Sequence, residues 1–315
     1  MTSPPLTSTL GRLKAELRVR AETYHLRGLN GVRSHLKLAL VERDHAAPVM
    51  AETLELSIPT PAGGLPARLY RPHAAADNGP ALLFFHGGGF VLCDLETHDA
   101  LCRRLAAAAG MCVVSAHYRL APESPFPGQV EDAEAAARWL GLQASSLAID
   151  PARIAFGGDS AGAYLAVAVA AKLNGEQPGF CAGQVLIYPL LQLDDEAWAS
   201  SVLADTRAVG RLAVRYIRAQ LGDGALTAPT LLAADHRTPP TLIATGGLLD
   251  PCRRHALDYH ELLQAAGARV VLKEYPALTH GLANLTHVAP GASAAVHDIG
   301  VRMADLMRLQ PERAR

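Results

Sequence analysis

Apolar and polar residues follow a regular order along most of the chain, and that order predicts strands. Leu54, Leu56 and Ile58 alternate with polar residues, which is typical of a half-buried strand. The segment 67–70 is interpreted as the strand that returns after a turn rich in proline and glycine. Short apolar runs predict further strands at 81–85, 111–118, 153–158, 183–189, 241–247 and 268–275.

Helical patterns fill the intervals between these runs. The segment 161–173 is apolar nearly all round, so we expect a helix that is buried on every side. Other helices are predicted at 97–109, 128–140, 253–266 and 291–309. Strands that alternate with helices in this way predict an α/β fold, in which helices cover both faces of a mostly parallel central sheet.

Two segments depart from this alternation. Residues 1–45 have helical patterns and no strand, and the segment at about 190–238 has helical patches among turn residues. We therefore predict helices over 1–45, followed by one α/β domain over 46–315. The segment at about 190–238 is interpreted as a cap inserted into that domain.

Composition and charge argue against several kinds of partner. The 315 residues include 29 basic and 30 acidic side chains, a balance that does not suit nucleic acid or an anionic membrane. The N-terminus lacks the apolar core of a signal peptide, and no apolar run approaches the roughly 20 residues of a membrane span. The five cysteines are odd in number and form no CxxC pair, which favours reduced thiols. We expect a cytoplasmic protein.

The first chemical motif is G-x-S-x-G, formed around Ser160 by Gly158 and Gly162. It lies between a predicted buried strand and a predicted buried helix. A serine at such a sharp turn is held in a strained backbone conformation that pushes its hydroxyl out above the sheet. The positive end of the helix lies beside it. This placement predicts that Ser160 is a nucleophile.

A second motif, HGGGF, follows the strand at 81–85. Gly87, Gly88 and Gly89 expose successive backbone N–H groups that no side chain shields, and such groups can stabilise a developing oxyanion. The N–H of Ala161 is expected to complete this oxyanion hole because it follows the nucleophile. Taken alone, the three glycines would also fit a flexible loop or a phosphate site.

A serine nucleophile needs a base, and the base needs a group that orients it. Asp250 follows the predicted strand at 241–247, and His280 follows the strand at 268–275. Both therefore occupy loops at the carboxyl ends of strands, where open α/β sheets assemble their sites. We predict that His280 is the base and Asp250 its partner. The competing side chains lie within a predicted helix or further beyond the strand ends: His255, Asp258, His260, His287 and His297.

These motifs together resemble the hormone-sensitive-lipase-like esterases, also called bacterial family IV. The matching pieces are HGGGF (86–90), YRLAPESPFP (118–127), GDSAG (158–162), LIYPLL (186–191), DP (250–251) and HG (280–281). The resemblance implies hydrolysis of carboxylic esters without a metal or cofactor, and a cap that is built from the N-terminal helices and the insertion. It also implies a homodimer formed through the sheet edge.

Some positions depart from the family pattern. Ala163 replaces a further glycine, Cys252 and Arg254 replace a leucine and an acid after the Asp-Pro pair, and Leu282 replaces a phenylalanine. The changes after Asp250 put the supporting contacts of its loop in question.

Other polar positions receive no chemical role at this stage. Tyr118, Arg119 and Glu123 are interpreted as parts of a structural loop. Asp94 and His98 have helical spacing and are interpreted as a solvated turn. No HExxH and no Walker loop occurs, so metal and nucleotide chemistry lack a motif.

The predicted reaction is acyl transfer to Ser160 followed by hydrolysis, with activity falling below about pH 6 as the base protonates. The apolar residues that flank the site favour short or medium acyl chains. They are Phe90, Leu92, Tyr188, Leu190 and Leu282, with Trp198 in the cap. Two alternatives stay open, namely an amidase or peptidase that uses the same side chains and a non-catalytic receptor for a small molecule.

Overall fold

The computed structural model of the protein describes residues 28–41, 46–193, 215–222 and 238–308. Its centre is an eight-stranded sheet with the order β1-β2-β4-β3-β5-β6-β7-β8. The strands are β1 (Glu52–Thr60), β2 (Gly63–Arg71), β3 (Gly79–Phe85), β4 (Cys112–Ala116), β5 (Ile149–Asp159), β6 (Gly183–Ile187), β7 (Thr241–Gly246) and β8 (Val270–Tyr275).

Seven α-helices are described, together with two short 3₁₀ helices at Ser145–Leu147 and Leu282–Asn284. Residues 28–41 (α1) and 215–221 (α5) are helical. The others are α2 (Asp99–Ala109), α3 (Gly128–Gln143), α4 (Ala161–Glu176), α6 (Arg253–Ala265) and α7 (Ala292–Arg308). The prediction of an α/β fold with a mostly parallel sheet is confirmed, because β3 to β8 pair in parallel and only β1 and β2 pair antiparallel with their neighbours.

The sheet separates two hydrophobic cores. Along β3, Leu82 and Phe84 point into one core, while Leu83 and Phe85 point into the other, as the period of two in a strand requires. The buried residues of α2 and α7 belong to the first core, and those of α3, α4 and α6 belong to the second. Helices therefore cover both faces, as the alternation of strands and helices predicts.

Several element bounds differ from the sequence-based expectation. β5 begins at the buried Ile149, before the apolar run at 153–158, because Asp150 and the exposed Pro151 and Ala152 interrupt the apolar pattern between them. β4 ends at Ala116, two residues short of the expected end, because Ala116 pairs with Phe85, the last residue of β3. The parallel strands thus end together, and the loops that follow them lie on one edge of the sheet.

Two described segments lie against the loops at this edge. In α1, the guanidinium of Arg33 donates hydrogen bonds to the carbonyl oxygens of Val91 and Ala121 and pairs with both carboxylate oxygens of Glu123. In α5, Ile217 packs directly over Gly89. The rest of the predicted segments 1–45 and 190–238, including Trp198, lies outside the described residues.

Two findings bear on the protein's environment. None of the described helices is long and apolar enough to cross a membrane. All five cysteines lie among the described residues and are free thiols.

Candidate active site

Ser160 occupies the turn between β5, which ends at Asp159, and α4, which begins at Ala161. Its backbone has φ 52° and ψ −115°, a conformation that a residue with a side chain seldom adopts. The turn is tight because a Cβ atom on Gly162 would collide with the carbonyl oxygen of Phe85. Ser160 is therefore held by the crossing of α4 over β3, at the positive end of a long buried helix.

Ser160, His280 and Asp250 meet in one hydrogen-bonded line. The hydroxyl oxygen of Ser160 is 3.0 Å from Nε2 of His280, and Nδ1 of His280 is 2.9 Å from Oδ1 of Asp250. Ser160 and His280 are 120 positions apart in sequence. They come together because their strands lie in one parallel sheet whose carboxyl ends share an edge.

Asp250 is fixed by donors on both of its carboxylate oxygens. Oδ2 accepts hydrogen bonds from the N–H of Gly246 at 3.0 Å and the hydroxyl of Thr245 at 3.2 Å, and Oδ1 accepts one from the N–H of Cys252 at 2.9 Å. Burial by itself raises the pKa of Asp250, but His280 and these backbone donors outweigh it and lower the pKa below 3.8. Asp250 therefore stays ionised at neutral pH.

The charge of Asp250 acts in turn on His280. Burial by itself lowers the pKa of His280, but the adjoining Cys252 and Asp250 side chains outweigh burial and hold that pKa well above 6.5. We assign the effect to Asp250, because burial raises the pKa of the Cys252 thiol and keeps the thiol uncharged. The Tyr188 ring packs against the His280 ring, with 4.8 Å between their centroids.

Cys252 and Arg254, which depart from the family pattern after Asp250, make different contacts. Cys252 is buried, and its backbone N–H supports the Asp250 carboxylate, so the leucine-to-cysteine change leaves that contact in place. Arg254 forms an ion pair with Asp258 on the same helix. Among the described residues, Asp250, Cys252 and His280 are the one group that could hold a metal ion, with donor atoms within 4.8 Å of one another. Two of the three, Asp250 and His280, are already engaged in the hydrogen-bonded line with Ser160.

The predicted oxyanion glycines lie in a turn, which we call the glycine loop (86–93). Gly88 has φ 107°, and a Cβ atom there would collide with the carbonyl oxygen of Leu92. Within the described residues, nothing accepts a hydrogen bond from the N–H groups of Gly88, Gly89 or Ala161. The N–H of Gly87 is different, because it donates to Oδ1 of Asp159 at 2.7 Å.

The five predicted pocket residues differ in exposure. Leu92 is half-buried, whereas the other four expose 2% of their surface or less, namely Phe90, Tyr188, Leu190 and Leu282. The Phe90 ring packs edge-on against Tyr164 at 5.6 Å between centroids. The N–H of Leu190 donates to the carbonyl oxygen of Ser160 at 3.1 Å. These side chains pack behind the site and belong to the hydrophobic core.

The loop of the YRLAPE motif (118–123) packs against the glycine loop and hydrogen-bonds to it. The hydroxyl of Tyr118 donates to the carbonyl oxygen of His86 at 2.8 Å, and the N–H of Ala121 donates to that of Phe90 at 2.9 Å. Glu123 holds Arg33 of α1, which contacts both loops. This agrees with the structural role that the sequence suggests.

Sequence reasoning missed two buried residues at the site. The interpretation of Asp94 and His98 as a solvated turn is wrong for His98, which is 1% exposed and has Nε2 3.1 Å from Oδ1 of Asp159. Asp159 itself is 3% exposed. A carboxylate at the end of a buried strand needs partners, and that requirement is the signal that could have drawn attention to Asp159.

The fold and this line of side chains define the class of α/β-hydrolases, and comparison with known proteins agrees. A family profile described as alpha/beta hydrolase fold matches residues 82–284. The carboxylic ester hydrolase LipN of Mycobacterium tuberculosis is 37% identical over 280 residues, which cover 85% of this chain and 73% of the relative. The ethyl acetate hydrolase of Pseudomonas putida is 35% identical over 237 residues, which cover 72% of this chain and 74% of the relative.

Solved structures give the same result. The thermostable carboxylesterase EstE1, cloned from a metagenomic library, superposes with a TM-score of 0.80 and 31% identity. The match covers 89% of this chain and 98% of that one. The chain belongs to the hormone-sensitive-lipase-like family of α/β-hydrolases.

Proposed function

We propose that the protein is a carboxylesterase that hydrolyses carboxylic esters through an acyl-enzyme on Ser160. The observation that carries this proposal is the line from the Ser160 hydroxyl through His280 to the buried, ionised Asp250. Relatives named as carboxylic ester hydrolases support the ester as substrate. A non-catalytic receptor is not favoured, because the base lies within hydrogen-bond distance of the serine.

The reaction follows from these contacts. Nε2 of His280 accepts the Ser160 proton as the hydroxyl oxygen attacks the ester carbonyl. The N–H groups of Gly88, Gly89 and Ala161, which have no described acceptor, stabilise the oxyanion, while Gly87 shapes the loop through its bond to Asp159. Protonated His280 then gives its proton to the leaving alcohol. Water, activated by the same ring, releases the acid.

We place short and medium acyl chains in the site. The residues that pack behind it are apolar: Phe90, Leu92, Tyr188, Leu190 and Leu282. Ile217 packs over Gly89, beside the amides assigned to the oxyanion, and limits the space for the substrate there. A relative named for hydrolysis of ethyl acetate, whose acyl group has two carbons, supports a small acyl group.

A series of 4-nitrophenyl esters tests the substrate class. We expect kcat/KM to be highest between the acetyl and octanoyl esters and to fall steeply towards palmitoyl, because the apolar side chains behind the site are packed in the core and Ile217 lies over Gly89, which leaves little room for a long chain. The matched control is the 4-nitroanilide of the best acid, on which we expect much slower turnover. A maximum at palmitoyl would overturn the chain-length assignment, and faster turnover of the anilide would favour an amidase.

The pH dependence tests His280 as the base. His280 must be neutral to accept the Ser160 proton, so activity is lost as the pH falls through its pKa. Because that pKa is held above 6.5, we expect the acidic limb of kcat/KM to have its midpoint above pH 6.5. This is higher than the limit of about pH 6 expected from an ordinary histidine. A rate that stays flat from pH 5 to pH 8 would exclude His280 as the base.

The domain organisation, location and assembly complete the proposal. We assign 46–315 to the hydrolase domain, with a cap made from 1–45 and the insertion at about 190–238; the contacts of α1 and α5 with the glycine loop support this cap. Free cysteines suit the cytoplasm. β8 ends the described sheet, and a homodimer through such an edge strand is consistent with that position.

A further inference from the structure

Asp159 is a buried carboxylate that the reaction described above does not use. It is 3% exposed and directly precedes Ser160 in the chain. An ionised carboxylate at such a position is costly unless hydrogen-bond donors surround it. Burial by itself raises the pKa of Asp159, but His98, the N–H of Gly87 and His86 outweigh burial and lower that pKa below 3.8. The group is therefore ionised at neutral pH and attracts each donor strongly.

The donors that satisfy Asp159 come from different loops. Oδ1 accepts a hydrogen bond from the N–H of Gly87 at 2.7 Å and faces Nε2 of His98 at 3.1 Å. Oδ2 accepts a hydrogen bond from the hydroxyl of Tyr188 at 3.1 Å. Gly87 belongs to the glycine loop, His98 precedes α2, and Tyr188 follows β6. The Asp159 side chain thus ties these three loops to the turn that carries Ser160.

Two of these contacts lead on to the other catalytic loop. The Tyr188 ring lies 4.8 Å from the His280 ring. The hydrogen bond from Tyr188 to Asp159 therefore fixes the ring that packs against His280, which we call the Tyr188 wall. The amide group of Asn284, in the short helix after His280, is 3.2 Å from Nε2 of His98. The position of Asp159 is therefore linked to both sides of the predicted reaction centre.

The contact with Gly87 matters most for chemistry. Gly87 is adjacent to Gly88, whose N–H is assigned to the oxyanion hole, and a shift in one peptide plane turns the next. Donors must be aimed before the charge develops if they are to stabilise it without reorganisation. The bond at 2.7 Å holds the start of the glycine loop against the same turn that carries Ser160 and Ala161.

We propose that Asp159 is a positioning residue, which holds the glycine loop and the Tyr188 wall in register with Ser160 so that the oxyanion amides are aimed in advance. This proposal rests on the proposed function, since it assigns an oxyanion role to those amides. Asp159 does not touch the substrate. It acts through the groups that do.

The test is Asp159→Asn, assayed for turnover and for binding of a trifluoromethyl ketone. Addition of the Ser160 oxygen to the ketone carbon places an oxyanion among the amides, while the serine proton passes to His280. An asparagine in the same space can accept from Gly87 and His98 or from Tyr188, but it carries no charge, so its hydrogen bonds to these donors are weaker than those of the carboxylate. We expect kcat to fall by about 10²-fold with little change in KM, as when one oxyanion donor is lost. The inhibition constant of the ketone should rise by the same factor.

The matched control is Asp132→Asn. Asp132 is 1% exposed and accepts hydrogen bonds from the backbone and side chain of Arg119, so this change also neutralises a buried carboxylate. We expect a similar loss of thermal stability with less than about a threefold change in ketone affinity. Equal ketone affinity for Asp159→Asn and the parent enzyme would overturn the proposal, as would an equal loss in both variants.

A second pair of variants decides the matter if Asp159→Asn does not fold. His98→Leu removes a donor to Asp159, whereas His98→Gln keeps an N–H near the Nε2 position. We expect weaker ketone binding in the first variant and recovery in the second, and identical affinities would overturn the proposal. The proposed function has a separate failure: the unmodified protein would then neither hydrolyse esters nor bind the ketone.

Discussion

Replacing Ser160 with alanine is expected to lower kcat for a good 4-nitrophenyl ester by about 10³-fold or more. The hydroxyl lies 3.0 Å from Nε2 of His280, and alanine removes the atom that forms the acyl bond. The amides of Gly88, Gly89 and Ala161 keep their places, so any activity that remains should reflect their effect on direct attack by water.

The fold should survive this change, because Ser160 contributes little to the core and its backbone N–H still donates to the carbonyl oxygen of Ile187. A thermal melt of both forms provides the control. A fluorophosphonate probe should label the parent protein on Ser160 and leave the alanine variant unlabelled. Near-parental turnover, or continued labelling of the variant, would show that another residue is the nucleophile.

Asp250→Asn is the second change for which we expect a very large effect, a fall in kcat on the order of 10³- to 10⁴-fold. Donors lie on both sides of the carboxylate: the N–H of Cys252 and Nδ1 of His280 face Oδ1, and the N–H of Gly246 faces Oδ2. An asparagine presents its NH₂ group to one side or the other. If it faces His280, the ring takes the tautomer in which Nε2 carries the proton and cannot accept another from Ser160.

The pH dependence of this variant provides an independent check. Asp250 is the group to which we assign the raised pKa of His280, so its neutralisation should move the acidic limb of the residual activity to lower pH. Asp258→Asn is a matched control, since Asp258 lies on α6 and pairs with Arg254 at the surface. An acidic limb that does not move in Asp250→Asn, or one that moves equally in Asp258→Asn, would contradict the role given to Asp250.

Much of this architecture could be predicted because local patterns report on burial. The alternation at Leu54, Leu56 and Ile58 predicts β1, and the apolar segment at 161–173 predicts a helix that proves buried along most of its length. The observed strand bounds differ from the predicted ones where the apolar pattern is interrupted, as at residues 150–152 near the start of β5. Periodicity reveals which residues face a core, while pairing with a neighbouring strand determines where a strand ends.

The candidate site divides in the same way. Ser160, Asp250 and His280 could be singled out as candidates because each follows a recognisable strand in the order that α/β-hydrolases use. The partnership of Asp159 with His98 could not be found, because no periodicity links a strand end to a residue that precedes a distant helix. His98 was interpreted as solvated for the same reason, because its helical spacing from Asp94 does not indicate which distant residues bury its side chain.

By itself, then, the order of residues determined the class of fold, the strained turn at Ser160 and the identity of the groups that can exchange a proton there. Only the tertiary structure decided the distances of 3.0 and 2.9 Å along the Ser160–His280–Asp250 line, the direction in which the His280 pKa shifts, and the bond that commits Gly87 to Asp159. The physical reason is that hydrogen bonds and electrostatic shifts depend on through-space separation and burial, which the packing of distant segments creates.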